Sequence, residues 1–139
     1  MTDAPVITID GPSGSGKGTI SQQLASSLGW HYLDSGAIYR TLAYAVEQAG
    51  LSVDINKQQI EKLARELKLS FRPSADGGAE VLLDNVNITA FIRTEECGAM
   101  ASILASDGDI RAALLQRQRD FRKSPGLIAD GRDMGTVVF

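Results

Sequence analysis

Cysteine and histidine are nearly absent from this chain of 139 residues, which contains one of each. A single cysteine, Cys97, cannot form an internal disulfide and suits a reducing compartment. The one histidine, His31, has no cysteine near it in sequence with which it could form a catalytic pair. We therefore exclude a disulfide scaffold, and we expect both residues to be structural, with Cys97 buried.

Long apolar runs and an excess of positive charge are also missing. No stretch approaches the roughly 18 apolar residues of a membrane helix, and the N-terminus lacks the basic and apolar segments of a secretory signal. The 14 basic and 17 acidic residues give a net charge of −3, which does not attract nucleic acid or anionic membranes. We predict a cytoplasmic protein that binds neither of them and holds any polyanionic ligand at a local site.

The chain does contain an alternation of short apolar runs and helical patterns. Apolar runs at 6–9, 30–33 and 127–129 predict buried strands. Residues at helical spacing predict helices over 17–28, 35–48, 54–67, 94–105 and 107–122. A strand-like run, VVF, occupies 137–139. This alternation predicts an α/β fold in which a parallel sheet is flanked by helices.

The segment from 69 to 92 has a different character. It begins with an alternating pattern that contains Asp76-Gly77-Gly78, which predicts a hairpin and one more short strand. We interpret it as an antiparallel insert within a single core that spans 1–139. A doubly wound sheet needs more strands than the three or four found here, so we expect a truncated sequence whose C-terminal strands are absent.

A glycine-rich segment, GPSGSGKGT, separates the first predicted strand from the first helix. It has the G-x-x-x-x-G-K spacing of a phosphate-binding loop, with Gly11, Gly16 and Lys17 at the fixed positions. Glycines let backbone N–H groups turn toward phosphate oxygens, and the helix adds its positive N-terminal end. A flexible turn is the alternative, but the flanking strand and helix favour a P-loop. The predicted ATP-binding residues are Gly11, Pro12, Ser13, Gly14, Ser15, Gly16, Lys17, Gly18 and Thr19.

The residue after Lys17 departs from the usual pattern. It is Gly18, where a P-loop usually has the Ser or Thr that binds Mg²⁺, and the hydroxyl comes one residue later at Thr19. We expect Mg²⁺ to be held mostly through waters and phosphate oxygens. Asp130, which follows a buried strand, is placed to act near the metal or its waters, although an ordinary Asp-Gly turn remains the alternative.

Several segments resemble bacterial cytidylate kinase over the whole chain, insert included. The only candidate for a guanine-reading Asn-Lys-x-Asp segment is NKQQ at 56–59, which lacks the aspartate, whereas GKGT is similar to nucleoside monophosphate kinases. The closest match lies in YLDSGAIYR (32–40), IRTEE (92–96), IRAALLQRQRDFR (110–122) and GLIADGRDMGTVVF (126–139). Members of that family continue beyond this point into an arginine-rich lid that closes over ATP.

The resemblance implies phosphoryl transfer from Mg·ATP to CMP or dCMP by a protein that is monomeric when complete. It implies that Lys17, Arg40 and Arg132 are catalytic, with both arginines gripping the monophosphate. Asp133 can accept a hydrogen bond from the exocyclic amine of cytosine, which uracil lacks. The CMP-binding residues implied are Ser35, Arg40, Ser102, Arg111, Arg132 and Asp133. The truncated chain, with an exposed sheet edge, is open to self-association.

Other interpretations stay open at this point. Ser102 could be a small helix-packing residue, and Arg111 could be a surface charge. The basic stretch from Arg117 to Lys123 favours a solvated helix face over an RNA site, given a pI of about 5.1. A kinase for UMP or AMP, and a non-catalytic ATP-binding fragment, are the alternative functions.

Overall fold

The computed structural model describes residues 3–11, 16–74, 79–131 and 134–139. The described elements, in chain order, are β1 (Val6–Asp10), α1 (Lys17–Leu28), β2 (His31–Asp34), α2 (Ser35–Gln48), α3 (Lys57–Arg65), β3 (Leu69–Pro73), β4 (Ala79–Leu83), β5 (Val86–Asn87), α4 (Thr89–Ile92), α5 (Glu95–Ala105), α6 (Gly108–Arg119), β6 (Leu127–Gly131) and one π-helical turn (Met134–Val138). Among these elements, no helix is both long and apolar enough to cross a membrane.

The chain divides into two compact units. The first contains Met1–Ser35, Phe71–Glu80 and Gln118–Phe139, and the second contains Gly36–Ser70 and Val81–Arg117. The limits predicted for the antiparallel insert, 69–92, stay a prediction.

The first unit is built on a parallel sheet with the strand order β1-β6-β2. Strand β6 pairs with both neighbours, and all five of its residues are buried, as expected of a central strand. The register aligns Asp10 with Gly131 and Asp34 with Asp130. The predicted parallel sheet is therefore confirmed, and it brings the carboxyl ends of three strands to one edge.

Helix α1 covers this sheet with small and polar residues. Ser21, Gln22 and Ala25 are its buried residues, and Ala25 belongs to a core cluster with Tyr32 and Ile128. The apolar spacing predicted this helix correctly, but Ile20 and Leu28 are 59% and 44% exposed. Leu24 packs against this cluster, whereas Ile20 and Leu28 do not mark the buried face, and the small side chains allow the helix to lie close to the sheet.

The second unit is mainly helical. Helix α2 buries one face that includes Ile38, Leu42 and Val46, and α6 buries Ile110 and Leu114.

A separate sheet has the strand order β3-β4-β5, and β4 pairs antiparallel with β5. It agrees with the predicted hairpin and additional strand.

The main differences from the predictions concern α3, α4 and the segment 137–139. Helix α3 begins at Lys57, three residues after the predicted start, and the short helix α4 was not predicted. The predicted strand-like run at 137–139 is wrong, because Met134–Val138 form a helical turn closed by a bond from Phe139 N to Met134 O of 2.8 Å. A β-branched pair such as Val137 and Val138 favours a strand locally, and this tertiary setting overrides that preference.

The basic stretch of helix α6 and the segment after it is not simply solvated. The Nε of Arg117 donates to Leu67 O at 2.7 Å, that of Arg119 to Val138 O at 2.9 Å, and that of Arg122 to Ala4 O at 2.6 Å. Each arginine donates to a backbone carbonyl, and the expectation of a solvated face is corrected for the half-buried Arg117 and Arg122, whereas Arg119 is exposed as expected.

Candidate functional site

The candidate site of the first unit lies at the carboxyl ends of the parallel strands. Ligands of open α/β sheets bind at this edge, because loops and helix N-termini converge there. At this edge Gly11 follows β1, and its N–H donates to Gly131 O at 3.1 Å. Gly11 itself is thus anchored to the end of β6.

The glycine-rich segment enters α1 at Gly16. Gly16 has φ of 83°, a left-handed conformation that glycine adopts without strain, and its carbonyl accepts from Ile20 N at 3.2 Å. As a glycine it has no side chain to cap the helix, so the first N–H groups of α1 are suited to bind an anion. Pro12, Ser13, Gly14 and Ser15 lie outside the described residues, and the role of the Lys17 side chain stays a prediction.

Asp130 is fully buried beside the first turn of α1. A Cβ placed on Gly18 would lie 3.8 Å from Asp130 Oδ2, so position 18 faces this carboxylate. The hydroxyl of Tyr32 donates to the same oxygen at 3.2 Å. Burial, together with the charges of Asp34 and Asp130, holds the pKa of Tyr32 well above its ordinary value, so the phenol remains a hydrogen-bond donor. Thr19, on the same turn as Gly18, is exposed.

Ser35 begins helix α2 next to this edge. A Cβ on Gly131 would lie 2.7 Å from the Cβ of Ser35, so only a glycine at 131 allows this close approach. The structure therefore brings Ser35 to the end of β6, beside Asp130. Arg132 and Asp133, which follow directly in sequence, lie outside the described residues.

The candidate site of the second unit is built around Arg40 of α2. Its Nη1 donates to Ile92 O at 2.7 Å and to Thr94 O at 3.2 Å. The guanidinium lies over Gly98, where a Cβ would be 2.7 Å from Nη2. Arg40 is therefore fixed against the start of α5 and is not a freely solvated helix residue.

Ser102 and Arg111 are both exposed in this unit. Ser102 lies four residues after Gly98 on α5, and residues at that spacing share a helix face. Burial raises the pKa of Tyr39, and the charge of Arg111 opposes this, which places Arg111 near the residue that precedes Arg40. An exposed Ser102 argues against the helix-packing interpretation of this residue.

One residue of the first candidate site was missed from the sequence. Tyr32 looked like one residue of an apolar strand. The alternation of side chains along β2 could have placed Tyr32 on one face of the sheet, but its contact with Asp130 spans 98 residues of sequence. A local sequence pattern cannot predict a contact between two residues so far apart in sequence.

The parallel sheet, with a glycine-rich segment leading from β1 into α1 and a buried aspartate on the adjacent strand, defines an α/β protein of the P-loop type. A family model described as "Cytidylate kinase" matches residues 7–139, and the chain belongs to this family.

Curated relatives give the same result. A protein of Marinomonas sp. (strain MWYL1) named cytidylate kinase is 55% identical over 139 residues, which are 100% of this chain and 61% of the relative. A cytidylate kinase of Colwellia psychrerythraea is 56% identical over 135 residues, which are 97% of this chain and 59% of that protein. The chain thus spans about 60% of the length of these relatives, in agreement with the predicted truncation.

Proposed function

We propose that the protein transfers the γ-phosphate of ATP to CMP or dCMP, giving ADP and CDP or dCDP. The observation that carries the proposal is the buried carboxylate of Asp130 facing the first turn of α1, directly after a glycine-rich loop, in a chain whose relatives are named cytidylate kinase. Such an arrangement suits a nucleotide phosphate at the N-terminus of α1.

Catalysis by these residues rests on alignment and on stabilisation of charge. We assign Lys17 and the backbone of the loop to the phosphates of ATP, and Arg40 and Arg132 to the phosphate of CMP. Little covalent chemistry falls to the protein in phosphoryl transfer, because the transition state needs its donor and acceptor in line and its oxygens neutralised. Ser35, Ser102, Arg111 and Asp133 are assigned to the nucleoside.

Arg40 is suited to this role by its fixed position. Both bonds to backbone carbonyls come from Nη1, and a guanidinium has five N–H donors in a planar fork. Donors on Nε and Nη2 can therefore meet a phosphate while Nη1 remains bonded. A side chain that is already held in place loses less conformational entropy when it binds its ligand.

The residues at the strand ends fit Mg²⁺, which prefers oxygen ligands and keeps several waters. Asp130 and Thr19 are the groups that would hold the ion, mostly through water, and Asp130 offers a carboxylate beside the first turn of α1. When bound with ATP, the ion neutralises charge on the β- and γ-phosphates.

An acceptor panel tests the proposed reaction. The chain is incubated with Mg·ATP and, separately, CMP, dCMP, UMP and AMP, and diphosphates are separated by chromatography, with a full-length relative as the positive control. We expect CDP and dCDP, each with one equivalent of ADP from the donor ATP, and no UDP, and we expect Lys17→Ala to lower turnover by at least about a hundredfold. Formation of UDP from UMP, or consumption of AMP with two ADP formed per ATP, at comparable rates would favour a kinase of wider acceptor range.

A calorimetric binding measurement separates the remaining alternative. ATP and CMP are each titrated into the wild-type chain, because ligand binding does not depend on turnover. Binding of ATP without CMP would favour a non-catalytic ATP-binding fragment, and failure to bind either nucleotide would refute the proposed site.

We further propose a cytoplasmic location, since the single cysteine suits a reducing compartment. The complete protein is proposed to be monomeric. The 139-residue chain is expected to self-associate, because β1 and β2 are the outer strands of the described parallel sheet and an unpaired strand edge can pair with another chain.

A further inference from the structure

Asp10 is the last residue of β1, and its carboxylate reaches the π-helical turn that follows β6. Oδ1 accepts a hydrogen bond from Met134 N at 2.7 Å, and Oδ2 accepts from Gly135 N at 3.4 Å. Met134 and Gly135 are the first two residues of the turn, and N–H groups at the start of a helical segment have no partner within it. Asp10 thus caps the turn from a strand 124 residues away in sequence.

The backbone on the other side of Arg132 and Asp133 is anchored to the same point. Asp10 is aligned with Gly131 in the parallel register, and Gly11 N donates to Gly131 O at 3.1 Å. Gly131 precedes Arg132, and Met134 follows Asp133. The residue before this two-residue segment is therefore bonded to Gly11, and the two residues after it are bonded to the carboxylate of Asp10.

Close packing reinforces these anchors. A Cβ on Gly135 would lie 2.9 Å from Thr8 Oγ1, so the turn is seated directly on β1. A Cβ on Gly131 would lie 2.9 Å from Met134 Sδ. Because Gly135 packs against Thr8 and Gly131 packs against Met134, the turn lies in close contact with both β1 and β6.

We propose that Asp10 is a positioning residue of the acceptor site, which holds the turn directly after Arg132 and Asp133 against the strand from which the glycine-rich loop starts. The inference rests on the proposed function, since it takes the ligand of Arg132 and Asp133 to be a pyrimidine nucleoside monophosphate. Asp10 itself touches neither substrate. It acts through the hydrogen bonds that its carboxylate accepts from two backbone N–H groups.

Amide hydrogen exchange tests the structural part without any substrate. In Asp10→Ala the amides of Met134 and Gly135 are expected to exchange at least about tenfold faster, because a hydrogen bond to a charged acceptor is lost. Asp10→Asn, which keeps one carbonyl oxygen, should retain most of the protection of Met134. Asp3→Ala, an exposed carboxylate before β1, is the matched control and should leave both amides unchanged. Unchanged exchange in Asp10→Ala would overturn the inference.

Steady-state kinetics test the functional part of the inference, provided that the wild-type protein phosphorylates CMP. Asp10→Ala is expected to raise the KM for CMP at least about tenfold and to change the KM for ATP by less than about threefold, with Asp10→Asn between it and wild type. Equal effects on both KM values would show a merely structural role and overturn the inference. If wild-type protein phosphorylates no nucleotide, the proposed function fails, while the exchange measurement still decides whether Asp10 holds the turn.

Discussion

The hydroxyl of Tyr32 donates to Asp130 Oδ2 across 3.2 Å, between neighbouring strands of the parallel sheet. Both residues are buried, and a carboxylate in such a place needs hydrogen-bond donors to offset the loss of water. Tyr32 supplies one of them, and its ring packs edge-on against Phe71 with centroids 5.5 Å apart. The same side chain therefore fills the core and orients a carboxylate of the candidate site.

Removal of this hydroxyl is expected to destabilise the fold. Tyr32→Phe keeps the ring and deletes one donor, so the free energy of unfolding should fall by about 1–2 kcal/mol. Urea denaturation of both proteins measures the difference. Tyr44→Phe is the matched control, since Tyr44 is only partly buried and packs against Phe91 through its ring. Equal stability of Tyr32→Phe and wild type would show that the bond contributes nothing to the fold.

The planar fork of Arg40 leads to a second prediction. Arg40→Lys keeps the charge but loses the donors that let Nη1 bond to Ile92 and Thr94 while other N–H groups face a phosphate. The KM for CMP should rise at least about tenfold, with little change in the KM for ATP. Arg93→Lys, at an exposed arginine beside Ile92, is the control and should behave as wild type. A normal KM for CMP in Arg40→Lys would remove Arg40 from the acceptor site.

Local pattern predicted much of the fold and part of the site. The strands predicted at 6–9, 30–33 and 127–129 were found because their short runs are apolar, but only β6 is buried throughout, and no residue of the edge strand β1 is buried. The turn of the chain at Gly16 was indicated by glycine spacing. These features depend on residues close together in sequence. The same is true of the helices, whose limits agree within a few residues.

What was missed depends on contacts that are distant in sequence. The VVF run is strand-like by propensity, yet its first two residues belong to the helical turn Met134–Val138. At the start of this turn, Asp10 accepts hydrogen bonds from the N–H groups of Met134 and Gly135. The buried face of α1 also differs in part from its apolar stripe, because Ser21 and Ala25 are buried whereas Ile20 and Leu28 are exposed. Neither outcome can be read from a local window.

The thiol of Cys97 is expected to be nearly inert in the folded chain. Burial is the main cause that raises the pKa of Cys97. The charge of Arg40 lowers this pKa, and the charge of Glu47 raises it. The thiol Sγ lies 3.3 Å from Arg40 O. Because the thiolate is the reactive form, an aromatic disulfide reagent should react at least about tenfold more slowly with native than with urea-unfolded protein. Since the chain has no other cysteine, the signal is unambiguous. Equal rates would show that this thiol is accessible in the native fold.

Asp107, at the N-terminus of α6, is predicted to make the stability of the fold decrease at acid pH. Asp107 accepts hydrogen bonds from Ile110 N and Asp109 N and pairs with Lys57 at 3.2 Å. The bond from Ile110 N is the main reason that the pKa of Asp107 is lowered, and Lys57 and Asp109 N add to it. A lowered folded-state pKa contributes stability above the unfolded-state value of about 3.9, and this contribution is lost as the pH falls through the folded-state value.

Asp107→Asn isolates this effect, because asparagine caps a helix about as well as aspartate but does not titrate. Wild type should be the more stable protein at neutral pH, and the difference should shrink as the pH falls from about 5 to 2. Denaturant unfolding at a series of pH values measures it, with Asp54→Asn, another exposed carboxylate of the same unit, as the control. A difference between Asp107→Asn and wild type that stays constant over this range would mean that the charge of Asp107 does not stabilise the start of α6.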